Sequence, residues 1–419
     1  MKILSLMSEF LKNTKSQLTF MICLAYAGLF FPIGISNATL IALLIFCIVK
    51  IKPREVLISI QENDLSKLFI VIYFLQIIGL LYTTDLSYGL FTLEKKITFL
   101  LIPIFVLPLL QKVEANTSTI LGWFGIVTLA SSAVLLAIAA VKWFAFNDQQ
   151  AFYYEEIIII HYVYYSIYFA CGSLLLIDFV FDSWSKSKNG IAGICLLFAY
   201  SFLVLVIVAS KTGIGAFCIA SILLLYKRLP SKRIFAISIL FFLLTAVLLF
   251  YFNSNIRDRF TEMNKNMSFL LKDDFRGSEV YVTDLTMRLI FWKISITQLW
   301  HDNLFVFGLG TGDAQEYMNA VYSLPQYQMN SYVNWDSHNE WVFTLIQLGF
   351  IGVLALAVLY GKYLIAAFRR NDLKFLYFLL VTGAFSMTES ILESNKGIVF
   401  FVLLFTVFAT TYRREKTLL

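Results

Sequence analysis

The sequence predicts an all-α polytopic membrane protein of about 12 transmembrane helices, with one large outer loop containing amphipathic helices. Three observations predict it. Hydrophobic residues make up 59% of the 419-residue chain and charged residues only 14%, too little polar surface to cover a soluble globule of this size. Apolar runs of about 18 to 20 residues recur without a water-facing side, the length a helix needs to cross a bilayer. Lys and Arg gather in alternate connections between those runs, as they do on the inner face of membrane proteins.

In chain order the apolar segments span 17–35, 36–50, 67–82, 98–111, 118–143, 159–181, 190–209, 213–226, 233–252, 341–366, 374–388 and 397–411. With the N-terminus inside, the inner connections contain KIKPRE from Lys50, SWSKSK from Ser183, YKRLPSKR from Tyr226, RRND from Arg369 and RREK from Arg413, all basic. Both termini are therefore expected in the cytoplasm. Residues 1–252 carry the first nine spans, 341–419 the last three, and 253–340 form an outer loop of 88 residues with 7 Lys/Arg against 11 Asp/Glu. These parts form one integral membrane domain, and no repeat of fixed period is visible. Met1 to Gln17 is basic and mildly amphipathic, and the apolar run after it is long enough to persist as a helix, so no cleavable signal is expected.

Inside the loop, DLTMRLIFWKISITQLW (284–300) mixes apolar and polar positions at helical spacing and is interrupted by Arg288 and Lys293. An amphipathic helix lying at the membrane interface is expected there. FGLGTGD (307–313) reads as a glycine-rich turn, or as an anion-binding nest built on Gly308, Gly310 and Gly312.

Composition also excludes several classes. The net charge of +6 sits largely in inner connections, so it does not indicate a nucleic-acid partner. Cys23, Cys47, Cys171, Cys195 and Cys218 fall in or beside apolar runs without CxxC or Cys/His pairing, and read as small apolar fillers. HExxH, DxD and DDxxD patterns, a Walker loop and a GxSxG elbow are all missing, so neither metal nor cofactor is expected. Few charges fall in mid-membrane, where a transporter keeps its coupling residues.

The stretch with most chemical content is DSHNEWVFTLIQLGFIGVLAL (336–356), a polar head on a long apolar run. Ser337 followed three residues later by Glu340 has the form of a capping box. That register places His338 at the first helical position, where the positive end of the helix dipole keeps a ring neutral and able to accept a proton. The alternative is an interfacial histidine bonded to headgroups or loop backbone. Lys211, in the turn ASKTGIG between two spans, and Arg288 lie on the same outer face, and each is either a phosphate ligand or a snorkelling charge. Lys95 and Lys96 of LEKK are placed to hold a lipid-linked phosphate or to pair with headgroups. His161, after YYEEIIII at a further outer helix mouth, is a structural residue or an additional substrate contact.

The span array, the SKTG turn, the outer loop with Arg288 and FGLGTGD, and HNEWVFTLIQLGFIGVLAL with Gly349 and Gly352 together resemble the bacterial O-antigen ligase family. The resemblance covers most of the chain and is most specific over 284–356. This family shares its fold with O-antigen polymerases and certain protein O-oligosaccharyltransferases. The resemblance implies a glycosyltransferase of the inner membrane that moves a glycan from undecaprenyl diphosphate to a sugar of lipid A-core on the periplasmic face, without ATP or metal. Carried over by position, the family's loop arginine is Arg288 and its histidine His338. The basic residue of the turn is Lys211, where many relatives have Arg, and Lys keeps the charge but loses the bidentate fork.

The implied roles are a base at His338 for the acceptor hydroxyl and fixed positive charge at Arg288 and Lys211 for the departing diphosphate, with inversion at the anomeric carbon. Tyr281, Trp292, Tyr317, Tyr332 and Trp335 are available to stack on sugars or to anchor the loop at the interface. A polymerase of the same superfamily shares this donor chemistry. A lipid-linked glycan flippase or transporter would instead predict inverted repeats and midplane charges.

Overall fold

The computed structural model describes residues 13–148, 150–152, 160–184, 188–229, 231–233, 235–236, 240, 251, 272–274, 284–327 and 329–412. Among them the regular structure is helical. The first helices are α1 (Thr14–Gly28), α2 (Ile33–Lys50), α3 (Pro53–Glu62), α4 (Asp64–Gly79) and α5 (Leu86–Lys96). The run 98–112 is α6, whose middle turn, Ile102–Val106, is of π type around Pro103. Proline lacks the N–H that would close a regular ladder there. Then come α7 (Thr117–Phe146), α8 (Tyr162–Trp184), α9 (Lys188–Ile207), α10 (Lys211–Arg228), α11 (Asp284–His301), α12 (Ala314–Tyr322), α13 (Glu340–Arg369), α14 (Leu373–Ser386) and α15 (Asn395–Ala409).

Short polar residues between apolar runs set many helix starts. Side chains of Asn13, Asp85, Asn116, Ser210, Asn339 and Asp372 each accept backbone N–H bonds at the head of α1, α5, α7, α10, α13 and α14.

Among the described residues, five stretches are long and apolar enough to cross a membrane: α2, α7, Tyr162–Asp182 of α8, Gly190–Ile207 of α9, and α13. Helices α14 and α15 are apolar but shorter. Eleven of the 12 expected apolar segments coincide with a helix, and the segment 233–252 falls almost wholly outside the described residues. The first two segments divide at Pro32, which opens α2, so α1 is shorter than expected.

Helix α8 packs on α7, α9, α10 and α14, while α15 is buried from Gly397 to Ala409. The approach of α7 to α8 depends on small residues, since a Cβ at Gly172 would overlap Thr128. A second apolar cluster joins α11, α12 and the head of α13. Met287, Ile290, Phe291 and Ile294, at helical spacing, form the buried face of α11 there. The expected amphipathic helix is thus present and spends its apolar face on protein neighbours.

Charge is distributed unequally between the two ends of the bundle. Lys50, Lys112, Arg228, Arg369, Arg370 and Lys374 lie at the end away from His338, where Arg228 bonds Asp178 and Asp182 at 2.8 and 2.7 Å. Of the described cations at the His338 end, Lys95, Lys96, Arg288 and Lys396 bond protein acceptors; Lys396, for example, donates to Leu29 O at 2.9 Å and to Phe31 O.

The feature that positions the site is a break in α13. Gly349 has φ +67° and ψ −166°, and the loop before α12 fills the gap. The N–H groups of Leu309 and Gly310 donate to Ile346 O and Gln347 O at 3.0 and 2.9 Å, taking the carbonyls that an unbroken helix would have bonded to Phe350 and Ile351. Those two N–H groups donate instead to Phe305 O and Val306 O, at 2.9 and 3.5 Å. The loop replaces the lost helical bonds one for one.

Any side chain at Gly349 meets both left-handed backbone strain, about 1 to 2 kcal/mol, and the carbonyl of Val306, which its Cβ would overlap. Gly349→Ala should therefore lower the thermal stability of the purified protein by at least that amount. Gly361→Ala, in open space on the same helix, should leave it unchanged or raise it by up to about 1 kcal/mol. Equal melting temperatures for the two variants would show that the break does not depend on glycine.

Candidate active site

His338 lies just before α13, in left-handed backbone (φ +45°). This corrects the expected register. Asn339 is the cap, its Oδ1 accepting Trp341 N and Val342 N at 2.9 and 3.1 Å, while the Ser337 hydroxyl donates to Asn339 O at 3.0 Å. Glu340 does not reach back to complete a capping box. It is buried, its Oε2 accepting Leu392 N at 2.7 Å and its Oε1 accepting the Thr344 hydroxyl at 3.2 Å.

Two carboxylates hold the imidazole. Nδ1 of His338 is 3.1 Å from Glu389 Oε2 and 3.4 Å from Asp336 Oδ1, and Asp336 Oδ1 also accepts His338 N at 2.8 Å. Nε2 makes no hydrogen bond to a described residue. The side chain is 23% exposed. Burial pulls its pKa down, but the Glu389 hydrogen bond and the charges of Asp336 and Glu389 outweigh that and the opposing Arg288 charge. The ring is held above the ordinary imidazole value. The expected influence of a helix N-terminus is replaced by that of carboxylates, because His338 stands outside the helix and faces Asp336 and Glu389.

Glu389 belongs to the connection MTESILESNK between α14 and α15, and it joins the two catalytic candidates: its second oxygen, Oε1, accepts Arg288 Nη2 at 2.7 Å. Arg288 projects from the first turns of α11, and its Nε is buried without a hydrogen-bond partner among the described residues. Lys211 is the exposed first residue of α10, in a turn with left-handed Ala209. The neighbouring Thr212 hydroxyl is 2.9 Å from that of Thr388, which sets the head of α10 beside the Glu389 connection. His161 precedes α8, where burial lowers its pKa, with Glu389 and Asp336 raising it and His338 lowering it further. The structure therefore gathers His338, Arg288 and His161 around Glu389, with the head of α10, which carries Lys211, beside the same connection.

Lys95 and Lys96 turn toward the same connection by a different route. Lys96 is 4% exposed, and its Nζ donates to Glu393 Oε1 at 2.5 Å and to Gln347 Oε1 at 2.9 Å. Gln347, two residues before the break in α13, also accepts Gln76 Nε2 at 3.0 Å and donates to Thr311 O at 3.0 Å. Lys95 donates to Glu393 O at 3.3 Å and lies over the rings of Tyr88 and Phe91. The glycine-rich loop is no anion nest: N–H groups of Leu309, Gly310, Thr311 and Gly312 are taken by Ile346 O, Gln347 O, Gly79 O and Thr83 Oγ1. The Asp313 carboxylate accepts Thr84 N and Asp85 N, both at 2.7 Å. Of the loop aromatics, Trp292 donates to Ser337 O at 2.8 Å and Tyr317 to Asp302 at 2.7 Å, and Tyr281 lies outside the described residues.

Sequence reasoning missed Glu389, Asp336 and Glu393. Asp336 lies two residues before the histidine and was within reach of a local reading, whereas a glutamate in a connection between helices carries no distinguishing mark. Volume gives no lead either: a groove of about 770 Å³ between α1 and α7, lined by Lys15, Thr19 and Trp123 among others, contains none of these residues.

The helices and the charged cluster at one end of the bundle define an all-helical, multi-pass membrane protein with a polar site built on helix ends. Residues 196–357 match the family model of O-antigen ligase. The match includes Lys211, Arg288, His338 and both sides of the break at Gly349, and stops short of Glu389. No curated protein matches the chain.

Lys96 is buried on a carboxylate, so Lys96→Met should leave Glu393 without its partner and destabilise the protein by about 3 to 5 kcal/mol, read as a lowered melting temperature. Lys95→Met, at a half-buried position, should shift melting little. A Lys96→Met protein that melts normally yet has lost activity would make Lys96 a substrate ligand instead.

Proposed function

We propose that the protein is an O-antigen ligase that moves a glycan from undecaprenyl diphosphate to lipid A-core at the periplasmic face of the inner membrane. The observation that carries this reading is the relay of Arg288, Glu389 and His338 at the end of the bundle away from the basic helix ends. With Nδ1–H donated to Glu389, Nε2 is left as the acceptor of a proton. The acceptor hydroxyl loses its proton to Nε2 as its oxygen attacks the anomeric carbon. The bond from that carbon to the phosphate oxygen breaks, and undecaprenyl diphosphate leaves with the electron pair. Glu389 orients the ring and stabilises the imidazolium that forms. Arg288 and Lys211 supply positive charge to the diphosphate, Arg288 in exchange for part of its contact with Glu389. Attack opposite the departing phosphate inverts the sugar carbon. The cations involved are the chain's own, and the reaction is expected to proceed with EDTA present.

Deleting the gene tests the biological assignment. Bare lipid A-core with accumulating lipid-linked polymer supports the ligase, and a single capped repeat on lipid A-core would make the protein a polymerase.

The chemistry is tested by pH. The base must be neutral, so the rate should fall as pH drops through the raised His338 pKa. Glu389→Gln removes a carboxylate that raises this pKa; its acid limb should move to lower pH while the maximal rate falls. His338→Ala should cut transfer by about 10² to 10⁴ with membrane levels of folded protein unchanged. Wild-type transfer by His338→Ala would sink the base mechanism.

A further inference from the structure

Trp335 keeps 44% of its surface exposed, although Ser337 and Asn339, close by in the chain, are buried. It is also firmly held. Its N–H donates to Tyr332 O at 3.1 Å and its carbonyl accepts Gln315 Nε2 at 3.2 Å. Asn334, just before it, takes left-handed backbone (φ +72°), and Asn319 Oδ1 accepts Asn334 N at 2.8 Å. The indole stands edge-on to Tyr332 at 5.9 Å and to the His338 ring at 5.6 Å. A large aromatic surface is thus presented beside the His338 ring. Next to it, Asp336 uses Oδ1 on His338 N, while Oδ2 has no partner among the described residues.

A flat aromatic surface next to a carboxylate oxygen suits a pyranose ring. The polarised C–H groups of one sugar face pack on the negative π face, and a sugar hydroxyl donates to the carboxylate. We propose that Trp335 and Asp336 form the subsite for the acceptor's sugar ring, presenting its hydroxyl to His338. This inference rests on the reading of His338 as the base. The choice of acceptor over donor sugar follows from order along the site: Trp335 touches His338 directly, whereas Arg288, at the phosphate end, reaches it only through Glu389. The group next to the base is the one that loses the proton.

The test uses the purified full chain in nanodiscs, with lipid-linked glycan as donor and rough lipopolysaccharide, which ends at the core sugars, as acceptor. Trp335→Ala should raise the acceptor KM about tenfold, with donor KM and kcat within about twofold of wild type. Trp335→Phe, which keeps an aromatic face, should recover most of the loss, and matching melting temperatures would exclude misfolding. An unchanged acceptor KM overturns the proposal. So does a rise confined to the donor KM, which would put the donor sugar on Trp335, or a fall in kcat alone, which would make Trp335 a support for His338. Failure of the base reading is distinguishable, since His338→Ala would then transfer at the wild-type rate with Trp335 intact.

Discussion

The arrangement depends on one requirement, that backbone polar groups in an apolar interior must be hydrogen-bonded. A break in α13 would strand two carbonyls and two N–H groups where water is scarce, at a cost of several kcal/mol for each group. The loop 305–310 meets all four, and in doing so brings Thr311 against Gln76 and Gln347. From Gln347 the polar chain continues to Lys96 and Glu393, and so to the connection that carries Glu389. The geometry around His338 therefore follows from how a helix deep in the bundle is interrupted.

Electrostatics then shapes the site. Glu389 is 15% exposed and faces a guanidinium on one oxygen and an imidazole on the other. In so shielded a place a carboxylate is tolerable only with such partners, and it fixes both in return. Glu340 anchors the connection from below through Leu392 N, and Asn339 ties it to Met387 O at 3.1 Å. The start of α13 and the turn between α14 and α15 are thus bound together at three successive chain positions: His338, Asn339 and Glu340.

Much of this was legible in the sequence because it rests on local pattern. Apolar runs gave the helices, and cations out of place for an outer face singled out Lys211 and Arg288. His338 was conspicuous as a rare titratable residue at the mouth of an apolar helix. What failed was local grammar overruled by distant partners. Ser337 and Asn339 are both good caps, and a sequence cannot say that Glu340 is drawn inward by Leu392, 52 positions away. The glycine loop has the composition of an anion nest, and its N–H groups are consumed by α13. Glu389 is an ordinary carboxylate in a connection until folding sets it between an arginine 101 positions away and a histidine 51 positions away.

The place of Glu389 in the chain has a consequence for biogenesis. Synthesis delivers the lysine of the α10 turn, then the arginine of α11, then the histidine, and only afterwards the glutamate between the last two apolar helices. A ribosome-bound intermediate that has already inserted α13 has a histidine with Asp336 alone and an arginine still lacking the Glu389 carboxylate. The cluster closes only when α14 and α15 pair in the bilayer, so completion of the cluster is a report that insertion has finished. Chains that stall or are clipped before that point lack Glu389 and so cannot close the cluster.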